Sequence, residues 1–369
     1  MASEGRGFGP DQFEPDYALP PGATLRDVIN AMGMSQSELA LRTGLSLKHV
    51  NQIIQGVAPV THETALALEK VTGVPARFWN SLEVIYRDRQ ARLRQAEISE
   101  ADRAWLNSLP VRELAERGKL DANSDAAALL QQVCRFFGVA NREIWERVWR
   151  APLAAFRRSP SFVSDRPALA SWLRLGELDA AEIRCQPFNA KNFRASLREI
   201  RLLTRADPET FSKEVIRICA ESGVAVVFIS EIKGCRASGA AHWLSPSKAV
   251  IQLSDRHKRD DHLWFSFFHE AGHLLLHSKK ETFVTNDALS DLAEEEANVF
   301  AATTLIPKSK EPLLAELETP SEIEEFAEQL GIAPGIVVGR MQREDIIPWS
   351  RFNSLKRKVR IVGDADDED

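Results

Sequence analysis

Between residues 34 and 56, apolar positions recur at intervals of three and four, which is the spacing of an amphipathic helix. Ser35 and Glu38 form the Ser-x-x-Glu pattern of a capping box, so we predict that a helix begins there. Leu39 and Ala40 supply the apolar face of this helix. The pattern therefore indicates a short amphipathic helix near the start of the chain.

A second helix is predicted immediately after Gly44, a residue suited to the positive φ of a tight turn. Ser46 would cap this helix. Leu47, Val50 and Ile54 would face inward at helical spacing. Two short helices joined by such a turn follow the helix-turn-helix plan, and polar side chains on the second helix can contact base edges and phosphates. The polar outer positions are Lys48, His49, Asn51, Gln52 and Gln55, with Gln36 at the start of the first helix.

Around residue 222 the helical period gives way to short extended runs. Three runs of apolar and β-branched residues are separated by Gly, Pro or Ser, which predicts strands at 223–229, 238–244 and 248–254. Helical periodicity then returns from 260 to 277, at 291–305 and at 321–343.

These patterns predict a multidomain chain: an all-α helix-turn-helix domain, a helical middle region and an α+β C-terminal domain. The middle region is broken by prolines and carries no chemistry that the sequence identifies. The predicted segments are an extended arm at 1–22, the helix-turn-helix domain at 23–95, a helical connecting region at 96–190, the α+β domain at 191–360 and an acidic, disordered tail at 361–369.

Composition narrows the class of protein. Of the 369 residues, 44% are hydrophobic and 27% are charged, as is typical of soluble globular proteins. The sequence has no apolar run long enough for a membrane span and no apolar core of a secretory signal, so we expect a cytoplasmic protein without membrane contact. The four cysteines form no CxxC pair. The net charge of −6 disfavours a general polyanion binder, so any DNA contact must be local.

The segment HEAGH places His269 and His273 four residues apart, so both imidazoles lie on one face of a helix. Zinc binds neutral imidazole nitrogens, and catalytic zinc sites use three protein ligands and leave one position for water. Glu270 lies beside that face and can accept a proton from this water, which predicts the base of a zinc peptidase. The competing interpretation is a buried helix that contains histidines by chance, and a third ligand decides between the two.

Two places can supply the third ligand. His277 continues the spacing, but eight residues along a straight helix put it about 12 Å from His269, too far for one ion. A later predicted helix has three successive glutamates, and Glu294 lies four residues before Asn298. That spacing suits a metal ligand followed by a residue that orients a ligand histidine. We select Glu294 and Asn298 for these roles, with Glu296 as the alternative ligand.

The run GMSQSELALRTGLSLKHVNQIIQG, followed by ETALALE and FWNSLE, resembles the Cro/cI-type (XRE) helix-turn-helix of HigA antitoxins. This resemblance implies that the protein binds double-stranded operator DNA as a homodimer and regulates transcription. The recognition helix would span residues 46–55. The positions that the resemblance assigns to DNA contact are Gln36, Ser46, Lys48, His49, Asn51 and Gln52.

The motifs GVAVVFI, SGAAHWLSPSKAVIQLS, DDHLWFSFFHEAGHLLLH and EEEANVFAATTLIP, in this order, resemble the ImmA/IrrE zinc metallopeptidases. The resemblance implies a zincin-like fold of the gluzincin type, with Zn²⁺ bound by His269, His273 and Glu294 and with Glu270 as the catalytic base. Members of this family cleave helix-turn-helix repressors. This chain differs because it contains its own helix-turn-helix, so the protein substrate is open.

Two functions follow from these motifs. The first is an antitoxin-type regulator with an active peptidase domain that cleaves a repressor or partner protein. The second is a DNA-binding regulator or antitoxin whose peptidase-like domain is a non-catalytic sensor or a module that binds a cognate toxin or another partner. A further helix pair at 324–343 has the outline of another helix-turn-helix, but we expect it to pack against the peptidase core.

Overall fold

The computed structural model describes residues 19–95, 98–156, 165–277 and 287–359. The chain divides into two compact units, Met1–Ser99 and Glu100–Asp369. Residues 1–18 of the predicted arm and all of the predicted tail at 361–369 lie outside the described residues. The predicted order of a helical N-terminal domain, a helical middle region and a C-terminal domain with a sheet is confirmed.

The first unit contains five helices in its described part. The first begins at Pro21, since proline is favoured in the opening turn of a helix, where its missing N–H is not needed. In chain order the helices are α1 (Pro21–Ala31), α2 (Gln36–Thr43), α3 (Leu47–Ile54), α4 (His62–Thr72) and α5 (Ala76–Gln95).

Helices α2 and α3 form the predicted helix-turn-helix. The Ser35 hydroxyl accepts a hydrogen bond from the Glu38 N–H, but the Glu38 carboxylate bonds to Arg42, so the cap lacks the second half of a capping box. Gly44 ends α2 with φ of 75°, and the Ser46 hydroxyl accepts from the N–H of the residue three positions later. The local pattern therefore specifies both the turn and the start of α3.

The inward position predicted for Leu47 is wrong. Its side chain is 44% exposed, whereas Val50, Ile53 and Ile54 are buried in the core of the first unit. Leu47 occupies the first turn of α3, beyond the edge of that core. Helical spacing gives the direction of a side chain, but it does not show where the neighbouring helices end.

Close backbone approach holds α3 in place. A side chain at Gly22 would clash with the backbone of Ile53 and Ile54, so only glycine lets α1 pack this closely on α3. Trp79 on α5 is fully buried in the same core. The first unit therefore presents α3 from a packed scaffold of its own.

The second unit begins with helices and continues into a sheet. Its first helices are α6 (Glu100–Ser108), α7 (Val111–Glu116), α8 (Ala126–Phe137), α9 (Arg142–Phe156), α10 (Arg166–Glu182), α11 (Ala190–Leu203) and α12 (Pro208–Glu221). Then follow β1 (Val224–Phe228), β2 (Gly239–Ser245), β3 (Lys248–Leu253), α13 (Asp260–Leu276), α14 (Asp287–Leu305), a 3₁₀ helix at Lys308–Glu316, α15 (Pro320–Leu330), α16 (Pro334–Arg343) and a 3₁₀ turn at Asn353–Leu355.

The sheet in the described part of the chain is mixed and has the order β1-β3-β2. Strand β1 pairs with β3 in parallel, with Val226 opposite Ile251. Strand β2 pairs with β3 in antiparallel fashion, with Ala241 opposite the same Ile251. Strand β2 therefore has one edge that the sheet does not use.

Helices cover both faces of this sheet. Alternate strand residues such as Val226 and Ile251 pack with α12 and α13, while Val227 and Val250 face α10. Gly176 on α10 lies directly over the buried amide of Gln252, where any larger residue would clash. The middle helices thus share a core with the sheet, which explains why every residue of β1 is apolar.

The helix pair near the C-terminus packs in the core of the second unit, as expected, with α16 against α13. Helix α16 buries one face, including Val337, Val338 and Met341. Residues 334–342 of this helix are all buried or half-buried, so they offer no exposed face to a DNA groove. In the described residues, no helix is long and apolar enough to cross a membrane.

Candidate functional site

Helices α13 and α14 carry the side chains of the candidate metal centre. His269 and His273 lie one turn apart on α13, and Glu294 faces them from α14. A side chain at Gly272 would lie 3.2 Å from the Cα of Ala297 and 3.1 Å from the ring of Phe300. The glycine inside the HEAGH motif therefore allows α14 to approach α13 closely, which brings the carboxylate within reach of both histidines.

The three side chains converge at the distances of a metal site. Nε2 of His269 and Nε2 of His273 are 3.0 Å apart. The two carboxylate oxygens of Glu294 lie 3.4 Å and 3.3 Å from these nitrogens, respectively. Ligand atoms around a tetrahedral zinc with bonds of about 2.0–2.1 Å would be separated by about 3.3 Å. The arrangement therefore fits one zinc ion and leaves a fourth position open.

The hydrogen bond on the far side of the His269 ring also fits a metal ligand. Nδ1 of His269 is 3.1 Å from the amide oxygen of Asn298, so that nitrogen donates the hydrogen bond. A neutral His269 then presents a lone pair at Nε2, where it faces Nε2 of His273. Two nitrogens at that separation need a proton or a metal cation between them, and the Glu294 carboxylate beside them stabilises either one.

Glu270 occupies the other side of the motif, beneath β2. It is 9% exposed and accepts a hydrogen bond from the backbone N–H of Ala241. A side chain at Gly239 would lie 2.9 Å from the Glu270 carboxylate, so this glycine makes room for the base. Burial raises the pKa of Glu270 above its ordinary value, and the charge of Glu294 adds to this.

The carboxylates around the two histidines stabilise positive charge at the candidate metal position. Burial alone would lower the pKa of His269, but its hydrogen bond to Glu294 and the charge of Glu270 raise it. Burial would raise the pKa of Glu294, but hydrogen bonds from His269 and His273 hold it well below its ordinary value. The Glu294 carboxylate is therefore ionised across the neutral range, as a metal ligand must be.

His277 and Glu296 do not join the three-residue cluster in the described part of the chain. His277 stands at the end of α13 in extended conformation, with ψ of 150°. Its Nδ1 lies 3.1 Å from Nδ1 of His273, and its Nε2 lies 3.2 Å from the carboxylate of Glu296. Glu296, the alternative ligand, thus lies beside His277, whereas Glu294 lies at the candidate metal position.

The glycines that shape this site, Gly239 and Gly272, were not identified as site residues from the sequence. Gly272 lies inside the histidine motif, and that position could have pointed to a close helix contact. Gly239 gives no comparable signal, because its role depends on how β2 crosses α13.

The second candidate surface is the outer face of α3. Lys48 is exposed, while His49, Asn51 and Gln52 are half-buried. The Ser46 hydroxyl oxygen accepts the hydrogen bond that caps α3, and Gln36 is half-buried in the first turn of α2. On α3, Lys48, His49, Asn51 and Gln52 lie on the helix face opposite the buried Val50, Ile53 and Ile54, as groove binding by this helix would require.

Comparison with known families agrees with both surfaces. Residues 25–79 match the family model described as helix-turn-helix, and residues 219–342 match the M78 peptidase model described as IrrE N-terminal-like domain. The chain therefore contains a helix-turn-helix domain and an IrrE/ImmA-like domain, which confirms the predicted combination. Comparison with curated proteins gave no match, and neither did comparison with solved structures. The HigA subtype stays a prediction.

Proposed function

We propose that this chain, with its helix-turn-helix and IrrE-like domains, is a DNA-binding transcriptional regulator that carries a zinc-dependent endopeptidase. The main support for the proposed peptidase activity is the convergence of His269, His273 and Glu294, with Glu270 buried beside them. We extend the proposal to a zincin-like fold of the gluzincin type, a cytoplasmic location and an antitoxin-type role. A repressor or cognate toxin is the proposed protein partner.

In this proposal the ligand residues hold zinc and Glu270 moves protons. Bound zinc would supply Lewis-acid activation of water and of the peptide carbonyl. The Glu270 carboxylate accepts the proton of the attacking water and delivers it to the nitrogen of the leaving amine. Its raised pKa, caused first by burial, favours this double role because the carboxylate is a stronger base than an exposed one.

A peptide substrate can be aligned by β2. Within the described residues, the edge of β2 that faces away from β3 pairs with no other strand, and Gly239 and Ala241 place β2 over the Glu270 carboxylate. An extended peptide can pair with such an edge through main-chain hydrogen bonds.

The peptidase proposal is tested by metal analysis and peptide cleavage on the full chain. We expect about one zinc per wild-type chain and none in Glu294→Ala. Glu270→Gln should keep the zinc and lose cleavage of a fluorescence-quenched peptide library by at least about 100-fold, the scale of general base catalysis. Exposed Glu295→Gln serves as the charge-matched control. Full zinc with equal, low cleavage in wild type and Glu270→Gln would favour the non-catalytic sensor instead.

The regulatory half rests on the α3 surface and is tested by mobility shift with a DNA fragment upstream of the protein's own gene. We propose that Gln36, Ser46, Lys48, His49, Asn51 and Gln52 contact operator DNA and that a homodimer binds it. The double change Lys48→Ala/Gln52→Ala should weaken the shift, and loss of one phosphate contact should lower the salt slope by about one. Exposed Lys70→Ala on α4 is the control. An unchanged shift in the double variant contradicts this assignment of α3.

A further inference from the structure

His273 has a partner on the side of its ring that faces away from the candidate metal position. Its Nδ1 lies 3.1 Å from Nδ1 of His277, and Nε2 of His277 lies 3.2 Å from the Glu296 carboxylate. The His277 side chain is 13% exposed, so this chain of contacts crosses a largely buried imidazole. The contacts link the metal-binding helix α13 to the surface of α14.

Only one placement of the protons on the two imidazole rings is compatible with metal binding by His273. Nε2 of His273 must offer a lone pair to the metal, so its proton resides on Nδ1 and is donated to Nδ1 of His277. His277 then carries its own proton on Nε2 and donates it to the Glu296 carboxylate. Each donor along this path therefore meets one acceptor, and Glu296 is its anionic end.

The two ligand histidines are held in different ways. His269 donates to the neutral amide of Asn298, whereas His273 donates to an imidazole that is backed by a carboxylate. A partner of this kind fixes the tautomer and the ring orientation of a ligand and makes it more basic. The effect of Glu296 must pass through His277, because the three-residue metal cluster does not include Glu296.

We infer that His277 and Glu296 form a positioning relay for the zinc ligand His273. This inference rests on the proposed metal centre. The relay holds the His273 ring with its Nε2 toward Glu294, and it increases the affinity of the site for zinc. It also explains two features of the sequence, namely the third histidine of the motif and the third of the consecutive glutamates.

The relay is tested by zinc affinity on the full chain, measured by competition with a chromophoric chelator. Glu296→Gln and His277→Leu should each raise the zinc Kd about tenfold, the lower end of the range for residues that orient a ligand. His277→Gln, which can still accept from His273 and donate to Glu296, should recover part of this loss. Adjacent Glu295→Gln, with the same loss of charge on α14, should change the Kd less than about twofold.

A double-mutant cycle separates a relay from two unrelated contacts. In the His277→Leu background, Glu296→Gln should change the zinc Kd less than about twofold, because its effect has no remaining path. The band positions of the cobalt(II)-substituted protein should shift in the single variants, and the unfolding midpoint of the metal-free protein should stay constant. Additive effects of the two substitutions, or equal zinc affinity in all variants, overturn the relay.

Failure of the relay and failure of the peptidase proposal give different results. Zinc affinity is measured without substrate, so a protein that cleaves nothing but shows the non-additive cycle keeps the relay and loses the peptidase. Active wild type with an additive cycle keeps the peptidase and loses the relay. A wild-type protein without zinc binding would overturn both.

Discussion

At the scale of single residues, the buried side chain of His242 on β2 should make the stability of the second unit depend on pH. The Nε2 atom of this side chain is buried and has no hydrogen-bond partner within the described residues. Burial lowers the pKa of His242 to about 4. In the unfolded chain this histidine has its ordinary pKa of about 6.5, so the unfolded chain binds one more proton than the folded chain between these two values.

This difference predicts that the second unit loses stability as the pH falls from about 6.5 to about 4, by about 1.4 kcal/mol per pH unit for this one group. His242→Phe removes the titrating group and the unpartnered nitrogen. Its unfolding free energy, measured by urea titration, should depend on pH less steeply than wild type by about that slope. Exposed His62→Phe in the first unit is the control. Parallel pH profiles for wild type and His242→Phe would show that His242 is not buried as a neutral ring.

The candidate site shows how far residue spacing alone can be used. The positions of His269, Glu270 and His273 follow from helix geometry, because residues four apart share one face. The spacing of Glu294 and Asn298 favours Glu294 over Glu296, but the distance of each glutamate from the histidines depends on how α14 crosses α13. The contact of His277 with His273 depends on the end of α13, where the backbone turns to an extended conformation. Contacts of this kind require the three-dimensional structure.

At the scale of elements, the approach of α14 to α13 decides whether the three donors meet. Gly272→Val would place branched bulk against Ala297 and Phe300 and push the helices apart. We expect the zinc Kd to rise at least about tenfold and the unfolding free energy to fall by about 1–3 kcal/mol. Gly272→Ala, which shares the loss of glycine and adds only one methyl group, should have a much smaller effect. Wild-type zinc affinity in Gly272→Val would mean that this contact does not set the donor geometry.

The start of α13 depends on a second contact between elements. Asp261 in its first turn is 2.6 Å from Nζ of Lys356, which also donates to Gln342 of α16 at 2.6 Å. Both partners of the ion pair are almost fully buried. Lys356→Met would leave the Asp261 carboxylate buried without its counter-ion, so we expect a loss of about 3–5 kcal/mol in urea unfolding. Exposed Lys358→Met is the matched control.

The double variant Lys356→Met/Asp261→Leu checks the cause of that loss. If the penalty comes from an uncompensated buried charge, replacing both partners by apolar residues should recover much of the stability. A double variant that is as unstable as Lys356→Met alone would instead assign the loss to the packing of the lysine stem.

The elements themselves were largely predictable from the sequence. The three strands lie at the predicted positions, because each is short, apolar and bounded by turn residues. The packing of α10 against the sheet was not predicted, since it depends on Gly176 meeting Gln252 from a distant part of the chain. Leu47 illustrates the same limit, because burial is decided by neighbouring elements. Local patterns predict elements, whereas their contacts depend on the complementary shapes of residues far apart in sequence.

At the scale of the whole molecule, each unit has a core of its own. The first unit packs around residues such as Leu39 and Trp79, and the described core of the second unit surrounds the sheet and α13. The candidate zinc ligands all belong to the second unit. A ligand that binds only the folded form stabilises the unit that contains its site, by an amount set by its concentration and its Kd.

Zinc should therefore protect one unit and leave the other unchanged, which hydrogen exchange of the full chain can measure. At a free zinc concentration of 100 times Kd, the second unit gains about 2.7 kcal/mol, so its slowest amides in α13 and β3 should exchange about 100-fold more slowly. Amides of α3 and α4 should exchange at the same rate with and without zinc. Glu294→Ala should abolish the protection, because it removes a ligand while α14 remains in place. Protection that spreads to α3 would instead show that both units open together and that zinc binding is coupled to the stability of the DNA-binding surface.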